Sequence, residues 1–392
     1  MKHEKPSRAK IADGQISATF DRLALTEAVT TAASLEECRV GASIPILSYL
    51  VVGPDAIEYR GLDTSLRVRL DGSSGSGRVM LPARSLSGAL AAMPDETVVV
   101  EKSADASDVT ITCGDVVATF VPLCVADTPA PLEVSPPNDA NLRSFALGEG
   151  ALAGLLGFVS SFISDCETRY YLNGVSLTCE ERPDGPYLVV VATDGHRLAS
   201  CSAGLPAPCE GFQKRIVPRA AALFLKAHVG RRETRIRISQ NRAEFAFGDA
   251  IFATKLIDGV FPDYSRVVPQ PLNAGRTIDA KALGRFLAAA RVVFGWRGRY
   301  EMPVKFEPSD DDLKVSGRGS DKGSMAVALR AEVDGEPVTT PIGFNPIYLS
   351  KVVKAFGSKR LRLEYAGSFD PCRVTDPDRL GDDFALLMPM RL

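Results

Sequence analysis

IVPRAAALFLKAHV (Ile216–Val229) decides how the chain is built. A short β-branched run ends on a proline, and apolar residues then recur at helical spacing, so a strand hands over directly to an amphipathic helix. The signature returns twice. VMLPARSLSGALAAM (Val79–Met93) lies upstream and IGFNPIYLSKVVKAF (Ile342–Phe356) downstream, each with a strand end, a Pro or Asn, and an apolar stripe. A second family of helices also matches along the chain: FDRLALTEAVTTAAS, FALGEGALAGLLGFVSSF and IDAKALGRFLAAARVV. The period is roughly 120 to 135 residues, far longer than a solenoid unit. The expectation is an α+β protein with three tandem copies of one domain, each made of two strand-helix-strand halves.

Proline-rich segments separate the copies: TPAPLEVSPPND (Thr128–Asp139) and VVPQPLNAG (Val267–Gly275). Such composition marks linkers. The domains are therefore expected at 16–135, 136–270 and 271–392, after a polar, basic, flexible extension over 1–15. The Gly/Ser run GSSGSG (Gly72–Gly77) reads as a loop.

The 392 residues are 45% hydrophobic and 24% charged, with a formal net charge of −2. That is the balance of an ordinary globular chain with a large core. The longest apolar stretch, Leu152–Ile163, is interrupted by Gly and Ser and falls short of a membrane span. No apolar run follows the basic N-terminus, so a secretory signal is not expected. The eight cysteines contain no CxxC pair, which argues for reduced thiols over a metal site or a disulfide framework. The expectations are a cytoplasmic protein with no cofactor, no metal and no membrane partner.

A near-neutral chain can bind nucleic acid only by segregating its charges. Basic residues do gather in or beside the helices: Arg84; Lys214, Arg215, Arg219 and Lys226; Lys281, Arg285, Arg291, Arg297 and Arg299; Lys351, Lys354, Lys359 and Arg360. Acidic runs such as PSDDD (Pro308–Asp312) sit between strands. A helix-lined basic surface for DNA and a plainly solvated helix face both fit this pattern. Any affinity should be weak, because the first helix of the second copy carries little positive charge.

The other dense stretch is ATDGHRLA (Ala192–Ala199), which follows YLVVV. It reads as a buried strand, a tight turn at Gly195 and a return strand. An Asp, a His and an Arg fall within four positions. A hydrolytic set of Asp194, His196 and Ser200 is the enzymatic reading, but no HExxH, P-loop or GxSxG string accompanies it. Catalytic residues are therefore not expected.

The chain resembles the bacterial beta sliding clamps, the processivity subunits of replicative DNA polymerase. The resemblance rests on TRYYLNG (Thr168–Gly174), VATDGHRLA (Val191–Ala199), IFATKLIDGVFPDYSRVVP (Ile251–Pro269), IGFN with Tyr348, and the ending LMPMRL (Leu387–Leu392). It covers about residues 16 to 392 and is thin in the first domain. It implies a head-to-tail homodimer, a ring with helices inside and sheets outside, closed around double-stranded DNA without sequence preference. It implies partners, a DNA polymerase and a clamp loader, that insert short peptides into a hydrophobic cleft between the second and third domains. Matching cleft positions are Leu172, Thr193, Gly195, His196, Arg197, Leu198, Pro262, Arg266, Val267, Asn345, Tyr348, Leu386, Leu387, Met388, Pro389, Met390, Arg391 and Leu392. Within that set Leu172, Leu198, Val267, Leu386, Met388 and Met390 suit an adaptable apolar floor, and Arg197 and Arg266 suit a rim.

For DNA the resemblance points to Arg169, Tyr170 and Tyr171, with Arg84 and Arg219 at helix starts. For the dimer it points to Val117 and Ala118 opposite Val292 and Val293. Here the chain departs from similar clamps, with apolar residues where basic and aromatic ones are usual. Gly41 and Ala42 also stand where an Arg is usual, with Arg39 a little earlier. These departures leave room for an alternative, a clamp-fold scaffold for a specialised polymerase with weak or no DNA encirclement.

Overall fold

The computed structural model describes residues 14–35, 38, 43–94, 97–134, 141–209, 211–272, 274–296, 302–319, 323–336, 338–379 and 381–392. Arg39, Gly41, Ala42, Arg297, Arg299 and most of the N-terminal extension lie outside the described residues.

One order of elements occurs three times. The first copy runs β1 (Ile16–Asp21), α1 (Arg22–Ala33), β2 (Tyr49–Val52), β3 (Ala56–Arg60), β4 (Thr64–Arg69), β5 (Ser74–Gly77), β6 (Val79–Pro82), α2 (Ala83–Ala92), β7 (Thr97–Lys102), β8 (Val109–Cys113) and β9 (Val116–Phe120). The second runs β10 (Arg143–Leu147), α3 (Ala151–Val159), β11 (Gly174–Arg182), β12 (Gly185–Thr193), β13 (Arg197–Gly204), β14 (Arg215–Pro218), α4 (Arg219–His228), β15 (Thr234–Ile238), β16 (Arg242–Phe247) and β17 (Ala250–Lys255). The third runs β18 (Gly275–Asp279), α5 (Ala280–Phe294), β19 (Val304–Pro308), β20 (Asp312–Arg318), β21 (Ser324–Asp334), β22 (Ile342–Phe344), α6 (Pro346–Phe356), β23 (Arg360–Glu364), β24 (Cys372–Thr375) and β25 (Phe384–Leu387). Among the described residues, strand β5 alone has no counterpart in the other copies.

Local chemistry explains the strand-to-helix handovers. Asp21 caps α1 by accepting from the Ala24 amide at 2.8 Å, and Asp279 caps α5 through Ala282 at the same distance. Each cap satisfies an amide that the first helical turn leaves open. The helices then bury one stripe each: Leu25, Ala28, Val29 and Ala32 in α1, and Leu283, Phe286, Leu287, Ala290 and Phe294 in α5. Glycines in the left-handed region, Gly295 and Gly357, end α5 and α6.

The chain divides into two compact units. One comprises residues up to Glu149 with Ala227–Leu256, the other Gly150–Lys226 with Ile257–Leu392. The first unit holds a five-stranded sheet, β5-β1-β7-β8-β9, and an eight-stranded sheet, β10-β15-β16-β17-β4-β3-β2-β6. The second holds a twelve-stranded sheet, β14-β11-β12-β13-β25-β24-β23-β18-β21-β20-β19-β22. Among the described residues every pairing is antiparallel, and two of them join strands of different copies. β17 pairs with β4, setting Phe252 opposite Leu66, and β13 pairs with β25, setting Leu198 opposite Leu386.

The Gly/Ser run is a correction to the sequence reading. Ser74–Gly77 is an edge strand on β1, not a loop. Gly75 has φ +122°, and a side chain there would strike the Ser17 carbonyl and the Ala18 backbone. Low strand propensity is overridden because only glycine admits so close a backbone approach.

Candidate functional site

The β12–β13 turn is held by its own side chains. The Thr193 hydroxyl donates to the Arg197 carbonyl at 2.8 Å and accepts from the Gly195 amide at 3.1 Å. One Asp194 oxygen accepts from the amides of His196 (2.9 Å) and Arg197 (3.1 Å), and the other accepts from Arg197 Nε at 3.0 Å. Gly195, at φ +88°, supplies the left-handed step the turn needs.

Arg197 is only 4% exposed, so it does not frame a rim as the sequence reading expected. Its guanidinium lies beneath the turn, donating through Nη2 to the Ser161 carbonyl at 2.6 Å. The rings of Phe162 and Tyr348 flank it at 5.0 and 4.8 Å. A buried charge requires such company: an ion pair, a carbonyl and two π faces offset the lost hydration. Asn345, also buried, accepts from the amides of Ile347 (2.9 Å) and Tyr348 (3.1 Å) and so starts α6. That cap aims Tyr348 at the turn, where exposed His196 stacks on it at 5.9 Å.

Below these groups lies one apolar cluster. Leu172, Leu198 and Leu386 share it with Val189, Val191, Ile216 and Phe261, and Tyr171, Tyr264 and Val268 pack against it. Residues 257–268 cover this face, pinned by the Ile257 amide on the Ile216 carbonyl at 2.9 Å. Along the same segment Pro262, Arg266 and Val267 are exposed. Asp263 accepts from the Ser265 hydroxyl at 2.6 Å and from Arg266 Nε at 3.1 Å. The Ser265 hydroxyl, and then Arg266, hold its carboxyl below the usual carboxylate range.

The chain end docks beside the turn. The Met388 amide donates to the His196 carbonyl at 2.9 Å, and the Met390 amide to the Gly343 carbonyl at 2.8 Å. Leu387 is buried, Pro389 and Met390 are half-buried, and Met388, Arg391 and Leu392 are exposed. The structure therefore gathers the turn, residues 257–268, the start of α6 and the last seven residues in the second unit. An apolar floor is sealed beneath, and Val267, Met388 and Leu392 stay open to solvent.

Arg169 sits differently from its neighbours in the string. Its guanidinium lies across Gly195, close enough that a Cβ there would meet Nη1. Tyr170 is exposed and meets Tyr171 edge-on at 5.8 Å, while Tyr171 packs on the apolar cluster. Arg84 is exposed at the second position of α2, and Arg219 at the first of α4. Val117 is exposed and Ala118 half-buried on edge strand β9. Val292 and Val293 are exposed on α5.

Sequence reasoning passed over Phe261, which is core to the floor, and Ser161 and Phe162, which hold Arg197. Asp194, weighed there in a hydrolytic set, organises the turn instead. Its carboxylate is committed to Arg197 and two amides, which leaves no Ser-His-Asp relay through His196 and Ser200. Among the described residues no group of three or more His, Cys, Asp or Glu could hold a metal, and no helix is long and apolar enough to cross a membrane.

Comparison with known proteins identifies the family. The description "DNA polymerase III beta subunit, central domain" matches residues 148–263, and "DNA polymerase III beta subunit, C-terminal domain" matches 265–391. A beta sliding clamp of Pseudomonas aeruginosa is 28% identical over 383 residues, covering 95% of this chain and 99% of that protein. One from Caulobacter vibrioides is 29% identical over the same length and coverage. Among solved structures, a sliding clamp (DNA polymerase III subunit beta) from Bartonella birtlesii bound to griselimycin superposes with a TM-score of 0.84 at 25% identity. That match covers 96% of this chain and 100% of the other. A polymerase sliding clamp from P. aeruginosa gives 0.82 at 27%, again over 96% and 100%. The chain belongs to the bacterial beta sliding clamps, the beta subunits of DNA polymerase III: it is a DNA sliding clamp and processivity factor of replication, without a catalytic site of its own.

Proposed function

We propose that this clamp acts inside the cell as a ring-shaped homodimer around duplex DNA, with domains at 16–135, 136–270 and 271–392. A DNA polymerase and a clamp loader bind it through short peptides seated between the second and third domains. The observation that carries the peptide site is the meeting of Gly195–Leu198, Asn345, Tyr348 and Leu386–Leu392 over a sealed floor, with Val267, Met388 and Leu392 exposed. Exposed methionine and valine beside a rigid turn suit an acceptor for several peptides. Arg169 belongs to this rim as well as to the DNA set, because it lies on Gly195.

Retention on DNA is topological in this reading. Arg169, Tyr170, Tyr171, Arg84 and Arg219 then make few, sequence-independent phosphate contacts, since each neutralised phosphate adds affinity and slows sliding. Val117 and Ala118 on edge strand β9 pair with a second copy beside Val292 and Val293, an exposed apolar edge being suited to strand addition.

Two experiments test these readings separately. Fluorescence polarisation with a labelled polymerase-derived peptide should lose binding when Met390–Leu392 is deleted; unchanged affinity removes the site. The clamp loaded on nicked circular DNA should be released when the circle is linearised. Retention after linearisation would favour the scaffold without encirclement.

A further inference from the structure

Arg276, like Arg197, is a buried guanidinium, but its surroundings are of another kind. It lies on β18 and is 3% exposed. The register sets it between Leu363 of β23 and Val333 of β21. Alternation along the strands puts it on the face of Ile278, Leu361 and Ala331, all buried, which is the core side of the sheet. Its Nη1 donates to the Asp310 carbonyl at 3.3 Å. Nε and Nη2 are buried without a hydrogen-bond partner, and among the described residues no carboxylate forms an ion pair with the group. Arg197 has the Asp194 carboxylate, the Ser161 carbonyl and two aromatic faces; Arg276 has one carbonyl.

Tyr365 adds a third donor. It stands two positions past Leu363, so the same alternation carries it to that face, and it is 5% exposed. Its hydroxyl too is buried without a hydrogen-bond partner. Burial, and then the Cys372 thiol, hold that hydroxyl well above its ordinary value against the pull of Arg276, so it keeps a proton to donate. A guanidinium stays charged throughout the pH range of a folded protein, and a core position without an opposite charge is strongly unfavourable. Water would satisfy the donors and leave the charge uncompensated.

We propose that Arg276 and Tyr365 bind a small monovalent inorganic anion of the halide class inside the third copy of the domain. Three donors and one positive charge match one acceptor with one negative charge. A divalent oxyanion suits the place less, because its second charge and most of its oxygens would face apolar side chains. The bound anion ties β18 to β23, and it stabilises the folded state by mass action.

Thermal unfolding of the full-length clamp at constant ionic strength, with chloride exchanged for gluconate, tests this. The melting temperature should rise by about 3 °C over a roughly thirtyfold increase in chloride above the dissociation constant. Bromide should act in the same way. Arg276→Met keeps the apolar stem and removes the charge, so its melting temperature should ignore chloride. Tyr365→Phe, one donor short, should need more chloride for the same rise. Crystals of the unaltered protein grown in bromide should show an anomalous peak beside Arg276 Nε and Nη2, which decides the matter even if Arg276→Met does not fold. Density there without anomalous signal, meaning an ordered water only, overturns the proposal. So does a melting temperature of the unaltered protein that chloride does not move, or an equal rise in Arg276→Met.

Discussion

The Thr193–Leu198 turn and the exposed strip that borders it meet over one apolar floor, yet they are built in opposite ways. In the turn, Thr193, Asp194 and Arg197 bind one another, and Arg197 is buried against Ser161, Phe162 and Tyr348. In the strip, Val260 is 87% exposed, Val267 53%, Met388 40% and Leu392 59%. The turn spends its polar groups on fixing its own shape, and the strip leaves apolar surface unspent. A receptor for several peptides benefits from that division, since a rigid frame lowers the ordering cost while adaptable side chains do the fitting.

The largest break in the comparison comes from Arg197→Ala. It leaves the Asp194 carboxylate buried without its charge partner, which costs about 3–5 kcal/mol. A denaturant titration should show a lower midpoint, and peptide binding should fall with it. Removing Asp194 as well, in an Asp194→Ala/Arg197→Ala double variant, should recover part of the loss, because the orphaned charge has gone. Equal or additive losses would mean that the ion pair does not hold the turn.

Gly195→Ala attacks the same turn more gently. The left-handed backbone at φ +88° costs a residue with a Cβ about 1–2 kcal/mol, and Arg169 must also shift. Peptide affinity should drop with little loss of global stability, since the strain is confined to the hairpin tip. Met388→Ala, in contrast, tests the strip. Stability should stay within about 0.5 kcal/mol, because the side chain is exposed. Peptide affinity should fall roughly fivefold, the equivalent of about 1 kcal/mol of lost apolar burial. A stability change larger than the affinity change would reverse the assignment of Met388 to the strip.

Much of this was readable beforehand, and the reason is local. The strand-Pro-helix signature of Ile216–Val229 and its two echoes depend on neighbours in sequence, so the threefold order could be read directly. The Gly195 turn was legible for the same reason. What escaped reading depends on distant partners. Arg197 looks like a surface residue until the Ser161 carbonyl, 36 positions earlier, and Tyr348 close over it. The continuity of the twelve-stranded sheet rests on Leu198 meeting Leu386, a pairing that no local pattern encodes. Strand β5 escaped because its pairing is decided by how closely β1 can approach, which propensity does not measure.

The finest test concerns Arg169, which joins the turn to the preceding loop. Its neighbour Cys166 bonds Thr168 Oγ1 at 3.2 Å. The Thr168 hydroxyl, and then Arg169, stabilise the thiolate and lower the Cys166 pKa from an ordinary 9.0 to about 7. A depressed value means that the charged form is populated at lower pH than in a free thiol. Alkylation by iodoacetamide should therefore rise through a midpoint near pH 7 and be lost as the pH falls below it. Arg169→Ala removes one of the two stabilising groups, so the midpoint should move upward while the Thr168 contribution remains. A peptide that draws Arg169 further over Gly195 should shift the midpoint the same way. An unmoved midpoint in the Arg169→Ala variant would separate the guanidinium from the thiol and leave Arg169 as a contact of the turn alone.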